Sequence, residues 1–303
     1  MMNETTLQKQ FISYLPNIKI RTWEPMSKHT SFRIGGPAEL MVFPESAEEL
    51  SEIFKVSNLL DCKITILGAG TNVLAPDEGM DGVVVCLKDA LDFMELLEDS
   101  RIRVAAGVTM ARAAVFACNH KLSGFEFAHG IPGTVGGGVY MNAGAYGGEI
   151  AQVCESVEVM APDGSVRILS ADEMQFSYRH SRLEDDGGIV ISAVFKLIPG
   201  DEAEIRSKMQ ELMQKRRNSQ PLDLPSAGSA FKRPVGGFAA ALIDQAGLKG
   251  FRVGDAAVSE KHAGFVVNLG EATAADVKAL LVAVADCVEG KSGIRLEPEV
   301  RIW

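Results

Sequence analysis

Residues that could do chemistry cluster first around glycine. The stretch Gly130–Gly148, GIPGTVGGGVYMNAGAYGG, holds eight of the chain's thirty glycines and no charge. It shows neither a helical nor a strand period, which predicts a loop. Glycine admits positive φ and lets backbone approach a ligand without an intervening Cβ. Ile131, Val135, Val139, Tyr140, Met141 and Tyr146 are unlike the polar residues of a linker, so the stretch reads as a packed cofactor loop. A second glycine loop, GAGTNVL (Gly68–Leu74), follows a strand-like ITIL, a context in which backbone N–H groups cradle a pyrophosphate. It is not a dinucleotide fingerprint, because Val73 stands where the third glycine belongs. Gly290-Lys291-Ser292 is not a Walker A loop, because Ala285 stands where its first glycine belongs. Each glycine loop carries a Thr and an Asn (Thr71 and Asn72, Thr134 and Asn142), and together they suit a large nucleotide cofactor.

Other constellations are weaker. Ser229 and Lys232 form S-x-x-K and Lys291–Gly293 form K-S-G, as in penicillin-recognising serine acylases. The S-x-N element is missing, and Tyr140-Met141-Asn142 precedes the serine instead of following it. His29, His120, His129, His180 and His262 show no metal-ligand spacing, so neither zinc nor iron is expected. The five cysteines are widely spaced and read as reduced thiols. A net charge of −10 over 303 residues argues against nucleic acid or a membrane surface as a partner. Anionic ligands then require a local basic cluster. No apolar run reaches membrane-spanning length, and no signal peptide is evident at the start.

The elements that must position these residues read as α+β. AELMVF (Ala38–Phe43) predicts a strand, and Ser46 with Glu49 a capping box opening a helix to about Asp61. Strands follow at Ile64–Leu67, Gly82–Leu87 and Ile102–Gly107, then a helix over Met110–His120. Asp163-Gly164 marks a hairpin, and Gly188–Gly200 closes a β-rich half. Asp201 and Glu204 cap a helix ending near Asn218, a plausible domain junction. Helices at Phe238–Ala246 and Ala274–Cys287 precede a last strand, IRLEPEVRIW.

Five segments in fixed order, LGAGTNVL, GIPGTVGGGVYMNAGAYG, YRHS, PSAGSAFKRP and LEPEVR, resemble the UDP-N-acetylenolpyruvoylglucosamine reductase family over about Lys28–Arg301. The short Ser181–Ile189 connection is similar to the family's compact type, which lacks an extra substrate-covering loop. The resemblance implies a vanillyl-alcohol-oxidase-type FAD-binding domain in two lobes, residues 1–80 and 81–205, and a smaller α+β substrate-binding domain, residues 206–303. It implies catalytic roles for Arg179, Ser229 and Glu299. FAD would be held by Gly68, Gly70, Thr71, Asn72, Ile131, Pro132, Gly133, Thr134, Gly137, Asn142, Gly144 and Ala145. Substrate would meet Tyr178, Lys232, Arg233, Lys261 and His262.

The implied reaction is a step of bacterial cell-wall synthesis, and so of cell shape and division, in the cytoplasm by a monomer. Hydride passes from NADPH to FAD and on to the enolpyruvyl ether of UDP-N-acetylglucosamine. A guanidinium suits the carboxylate-delocalised charge that develops, and a held hydroxyl can protonate the basic carbon. A second carboxylate beside the first, Glu299, would need to be protonated or paired. The sequence departs from the commoner family pattern at Arg233, Gly264, Gly138 and Ala69. The first two put substrate-diphosphate contacts in doubt, Gly138 is expected only to loosen its loop, and Ala69 must keep negative φ. Two other readings stay open: a flavin oxidase of the same fold acting on another substrate, and a catalytically silent sugar-nucleotide binder.

Overall fold

The computed structural model describes residues 5–303. The chain forms two compact units. Among the described residues the first comprises 5–22, 40–69 and 82–215, and the second 23–39, 70–81 and 216–303.

A four-stranded sheet runs in the order Lys19–Pro25, Pro37–Phe43, Met80–Cys86, Ile64–Leu67. Ile64–Leu67 lies parallel to Met80–Cys86, with Ile64 opposite Val83 and Leu67 opposite Cys86. The helix Ala47–Leu59 follows Pro37–Phe43 and buries Leu50, Ile53 and Phe54. Ser46 accepts its Glu49 N–H at 3.2 Å as expected. The return bond differs: the Glu49 carboxylate accepts from Glu45 N–H at 2.7 Å, one residue before the cap.

The first unit's larger sheet is antiparallel, ordered Val166–Ser170, Cys154–Met160, Ile189–Lys196, Arg101–Ala105, Met94–Leu97. The Asp163-Gly164 turn joins its first two strands, as the sequence predicts. The central strand Ile189–Lys196 is nearly all buried, so it carries apolar residues on both faces except Ser192, whose hydroxyl donates to the Glu158 carboxylate at 2.8 Å, and the exposed Lys196. Helix Met110–Asn119 buries Met110, Ala113, Ala114, Ala117 and Cys118, the spacing of one helical face. These elements share one apolar core running from Phe11 to Met209.

The second unit has its own core, in which Phe32, Ile34 and Leu74 join residues of the 227–300 region such as Phe231, Val277 and Leu280. Its four-stranded sheet runs Ser226–Ser229, Phe265–Asn268, Ala256–Val258, Arg252–Val253, all antiparallel. Helix Ala274–Ser292 packs here and runs past the expected end at Cys287. Gly290 costs helix propensity but does not end the helix; Gly293, left-handed at φ 72°, does. The Asp77 carboxylate accepts the N–H groups of Ala274 and Ala275, at 2.7 and 3.0 Å, at the helix start.

Two expectations are corrected. Gly130–Gly148 is not all loop: Val135–Tyr140 is helical, with Thr134 as N-cap. Packing overrides glycine's poor propensity there, since Val135 and Val139 are fully buried and a Cβ on Gly136 would meet Ala106 at 2.8 Å. The tail IRLEPEVRIW is not one strand either. Only Arg301–Ile302 forms a ladder, parallel to Val73–Leu74, because Pro298 lacks an N–H and the preceding residues bond a different segment.

Candidate active site

In the first unit the two glycine loops meet. Gly68 ends the strand Ile64–Leu67, and a Cβ there would lie 2.7 Å from the Thr134 hydroxyl oxygen. Thr134 is buried and caps the helix Val135–Tyr140. Gly68, Ile131, Gly133, Gly144 and Ala145 are half-buried, and Pro132 and Gly137 are exposed. A Cβ on Gly137 would meet only Thr134 Oγ1, at 3.6 Å, so the backbone there is open to close approach. An uncharged surface of small residues and backbone fits a bulky phosphate-bearing cofactor better than one held by ion pairs. Gly138 has a different task from the one expected: a Cβ would lie 2.8 Å from Met110 Sδ, so the missing side chain admits Met110 instead of loosening a loop.

Asn142 is 2% exposed, and its amide is engaged by protein. Its Oδ1 accepts from Ala151 N–H at 2.9 Å, and its Nδ2 donates to the Ser177 carbonyl at 3.0 Å. That bond leads to Arg179. Ser177 and His180 exchange backbone hydrogen bonds of 3.0 and 3.3 Å, leaving Tyr178 and Arg179 at the tip of a two-residue turn. Arg179 is left-handed, φ 55°, a conformation that costs a non-glycine residue about 1–3 kcal/mol and clusters at functional sites. Its Nη1 donates to the Gly144 carbonyl at 3.4 Å, and its guanidinium lies 5.5 Å from the Tyr178 ring centre. Tyr178 itself is 53% exposed. His180 faces Asp185 at 3.3 Å.

The second unit gathers Gly70, Thr71, Asn72, Ser229 and Glu299. Gly70 is left-handed, φ 61°, and a Cβ would strike the His29 carbonyl at 2.1 Å, so only glycine fits. Asn72 Nδ2 donates to the Glu299 carbonyl at 3.2 Å, and the Asn72 carbonyl accepts from Arg301 N–H at 2.9 Å. Ser229 follows Gly228, φ 76°, at an irregularity between the paired positions Ser226 and Ser229. Such bulges re-aim a side chain beside active sites. Ser229 pairs with Phe265 on one side. On the other, the next residue's carbonyl accepts Glu299 N–H at 2.9 Å, and Lys232 N–H donates to Glu297. Ser229 and Glu299 are therefore held by one backbone network, and both are half-buried.

The expected basic residues have partners of their own. Lys232 faces Glu297 at 3.6 Å in an exposed pair, and Lys261 Nζ donates to the Arg217 carbonyl at 2.7 Å. The Arg233 guanidinium lies 4.2 Å over the exposed Phe238 ring. His262 Nδ1 accepts from Gly264 N–H at 3.1 Å. Burial, with a smaller push from Lys249, holds this imidazole below the usual histidine range. A Cβ on Gly264 would crowd His262 and Ala240 at 3.0–3.2 Å, which accounts for glycine at this departure from the family pattern. Ser181, inside the YRHS segment but unremarked in it, proves fully buried, and its hydroxyl donates to the Tyr140 carbonyl at 2.8 Å. Sequence carried no signal for that contact.

Comparison with known proteins decides the family. UDP-N-acetylenolpyruvoylglucosamine reductase from Agathobacter rectalis is 46% identical over 99% of both chains. The chain belongs to the UDP-N-acetylenolpyruvoylglucosamine reductase family. The family's counterpart from Lactococcus lactis is 44% identical over 100% of this chain and 99% of its own. Residues 220–303 match the UDP-N-acetylenolpyruvoylglucosamine reductase C-terminal domain, and residues 38–170 match an FAD binding domain. The crystal structure of the reductase from Thermus caldophilus superposes with a TM-score of 0.80 at 36% identity, over 95% of this chain and 99% of its own. An alkyldihydroxyacetonephosphate synthase shares the fold alone, with a TM-score of 0.52 at 16% identity, over 66% of this chain and 42% of its own. The reductase family assignment and the matched FAD binding domain make this chain an FAD-dependent oxidoreductase of mixed α+β fold. Among the described residues no helix is long and apolar enough to cross a membrane, and no cluster of His, Cys, Asp and Glu could hold a metal ion.

Proposed function

We propose that the chain reduces UDP-N-acetylglucosamine enolpyruvate to UDP-N-acetylmuramate with NADPH, a cytoplasmic step in making the peptidoglycan precursor. The observation that carries this reading is relatedness over the whole length of both chains, 46% identity over 99% of each. On this reading the substrate domain is residues 206–303, following FAD-binding lobes 1–80 and 81–205.

Gly68, Gly70, Thr71 and Asn72 would hold the FAD diphosphate, with Ile131, Pro132, Gly133, Thr134, Gly137, Gly144, Ala145 and the backbone of Asn142, whose side chain is engaged by protein, lining the rest of the cofactor. FAD held there would supply the hydride-transfer chemistry that links NADPH to the terminal carbon of the enolpyruvyl group. Hydride addition there leaves negative charge on the adjacent carbon, shared with the substrate carboxylate. Arg179 stabilises that charge: its guanidinium is always protonated and presents donors in a fork that matches a carboxylate. Losing one such donor typically costs about 2.7–4 kcal/mol of barrier. Ser229 gives its hydroxyl proton to the carbon, and solvent restores it. Glu299 polarises the carboxylate or relays the proton, and beside that carboxylate it would need to be protonated or paired. Tyr178, Lys232, Arg233, Lys261 and His262 contact the sugar nucleotide, so an acidic chain focuses positive potential locally.

Ser229→Ala tests this. Rapid mixing should show flavin reduction by NADPH unchanged, and reoxidation by the enolpyruvyl sugar nucleotide slowed about 10²–10⁴-fold, the usual worth of a positioned acid. Equal loss of both half-reactions would overturn the proton-donor role. Protein that binds no flavin on reconstitution would overturn the whole reading.

A further inference from the structure

We infer that Ser181 and Asn142 are positioning residues that lock the Arg179 turn into a conformation it would not keep unaided. The inference rests on the role proposed for Arg179 and extends it to two side chains that need not touch substrate.

The turn is the wrong one for its sequence. Of its two central residues, Tyr178 and Arg179, only Arg179 has positive φ, and a left-handed second position is where glycine or asparagine belongs. A residue held this way persists when its surroundings over-determine it. Here they do so from both flanks. Before the turn, the Ser177 carbonyl accepts from Asn142 Nδ2 at 3.0 Å. After it, Ser181 Oγ donates to the Tyr140 carbonyl at 2.8 Å. Both bonds run to one short stretch, 140–142, at the end of the helix Val135–Tyr140. That stretch continues to Gly144, whose carbonyl accepts the guanidinium itself at 3.4 Å. Arg182 N–H closes the base of the loop on the Met174 carbonyl at 2.9 Å.

Both bracing side chains are polar where apolar ones would be cheaper to bury: Ser181 is 0% and Asn142 2% exposed. Asn142 is also left-handed, φ 43°, which asparagine tolerates, and its Oδ1 is anchored by Ala151 N–H. The anchor is therefore fixed before it grips the turn. A turn released from either flank can relax toward ordinary φ, and that swings the guanidinium. A displacement of about 1 Å in a catalytic group can cost 10²-fold.

The primary test is Ser181→Ala, which removes one brace and adds no bulk. We expect NADPH to reduce the flavin within twofold of the parent rate, and reoxidation by the enolpyruvyl sugar nucleotide to slow about 10- to 100-fold. Hydrogen–deuterium exchange should accelerate over residues 176–182, also in protein stripped of flavin, and not in the sheet strands. In an Arg179→Ala background the kinetic effect of Ser181→Ala should vanish, because the brace acts through that guanidinium. Asn142→Asp is the second arm: it keeps the left-handed backbone and the acceptor for Ala151 but cannot donate to Ser177. It should give the same faster exchange over 176–182 in protein stripped of flavin, and that exchange carries the test should Ser181→Ala not fold. Equal slowing of both half-reactions, full additivity with Arg179→Ala, or unchanged exchange over 176–182 would overturn the inference. If Arg179→Ala alone leaves reoxidation intact, the role of Arg179 falls instead, and exchange still reports on the brace.

Discussion

The side-chain amide of Asn72 donates to the backbone carbonyl of Glu299 at 3.2 Å, joining residues 227 positions apart in sequence. The bond links the second glycine loop to the segment that carries an expected catalytic carboxylate. Asn72→Ala leaves that part-buried carbonyl short of a donor, a loss of about 1–3 kcal/mol. Urea unfolding should show this as a lower midpoint at unchanged slope. Enolpyruvyl turnover should also fall in Asn72→Ala, since Glu299 loses a support; a stability loss with unimpaired turnover would assign the bond to the fold alone.

Two glycines separate steric from conformational demands. Gly147 is left-handed, φ 87°, yet a Cβ there would have nothing within 4 Å. Gly147→Ala should therefore cost only the backbone preference, about 1 kcal/mol. Gly70→Ala adds a collision with the His29 carbonyl at 2.1 Å, which only backbone movement can relieve. It should cost about 3 kcal/mol or more and weaken flavin retention, both measurable by thermal unfolding followed through flavin fluorescence. Equal losses at the two sites would show that the Gly70 contact relaxes freely.

His262 gives a pH dependence with a definite sign. Burial lowers its affinity for a proton in the folded chain, so the unfolded chain, at the ordinary value of 6.5, protonates first. Folding stability should be level above that pH and fall as pH drops below it. His262→Gln should flatten the acid limb of a stability–pH curve between about pH 6.5 and 5, where carboxylates still contribute little. An unchanged limb would place the acid sensitivity elsewhere.

Local rules made much of the scaffold readable. Ser46, Asp163-Gly164 and the apolar spacing from Met110 to Cys118 each specify their element from nearby residues alone. The glycine loops read as cofactor loops because so many glycines among apolar side chains have few other uses, though Gly136 and Gly138 also serve packing against Ala106 and Met110. What stayed hidden was non-local. Beyond the Thr134 cap, the glycines of GTVGGGVY disfavour a helix until Ala106 and Met110 press against them. The extended tail divides its hydrogen bonds between Ala230, Lys232, Asn72 and Leu74, so no single partner strand gives it a ladder. The left-handed backbone of Arg179 is equally invisible in YRHS, since arginine does not advertise it. The catalytic reading of Arg179, Ser229 and Glu299 came from matched motifs, because each residue type alone has commoner uses on a protein surface.

The second unit is assembled from three separated stretches, with Phe32, Ile34 and Leu74 supplying core to residues otherwise drawn from 227–300. That architecture constrains recombination between relatives. A crossover near residue 220 would transplant a contiguous C-terminal block while leaving three of its core side chains behind in the other parent. Viable chimaeras must therefore inherit the block together with segments 23–39 and 70–81, as one co-adapted set scattered along the gene.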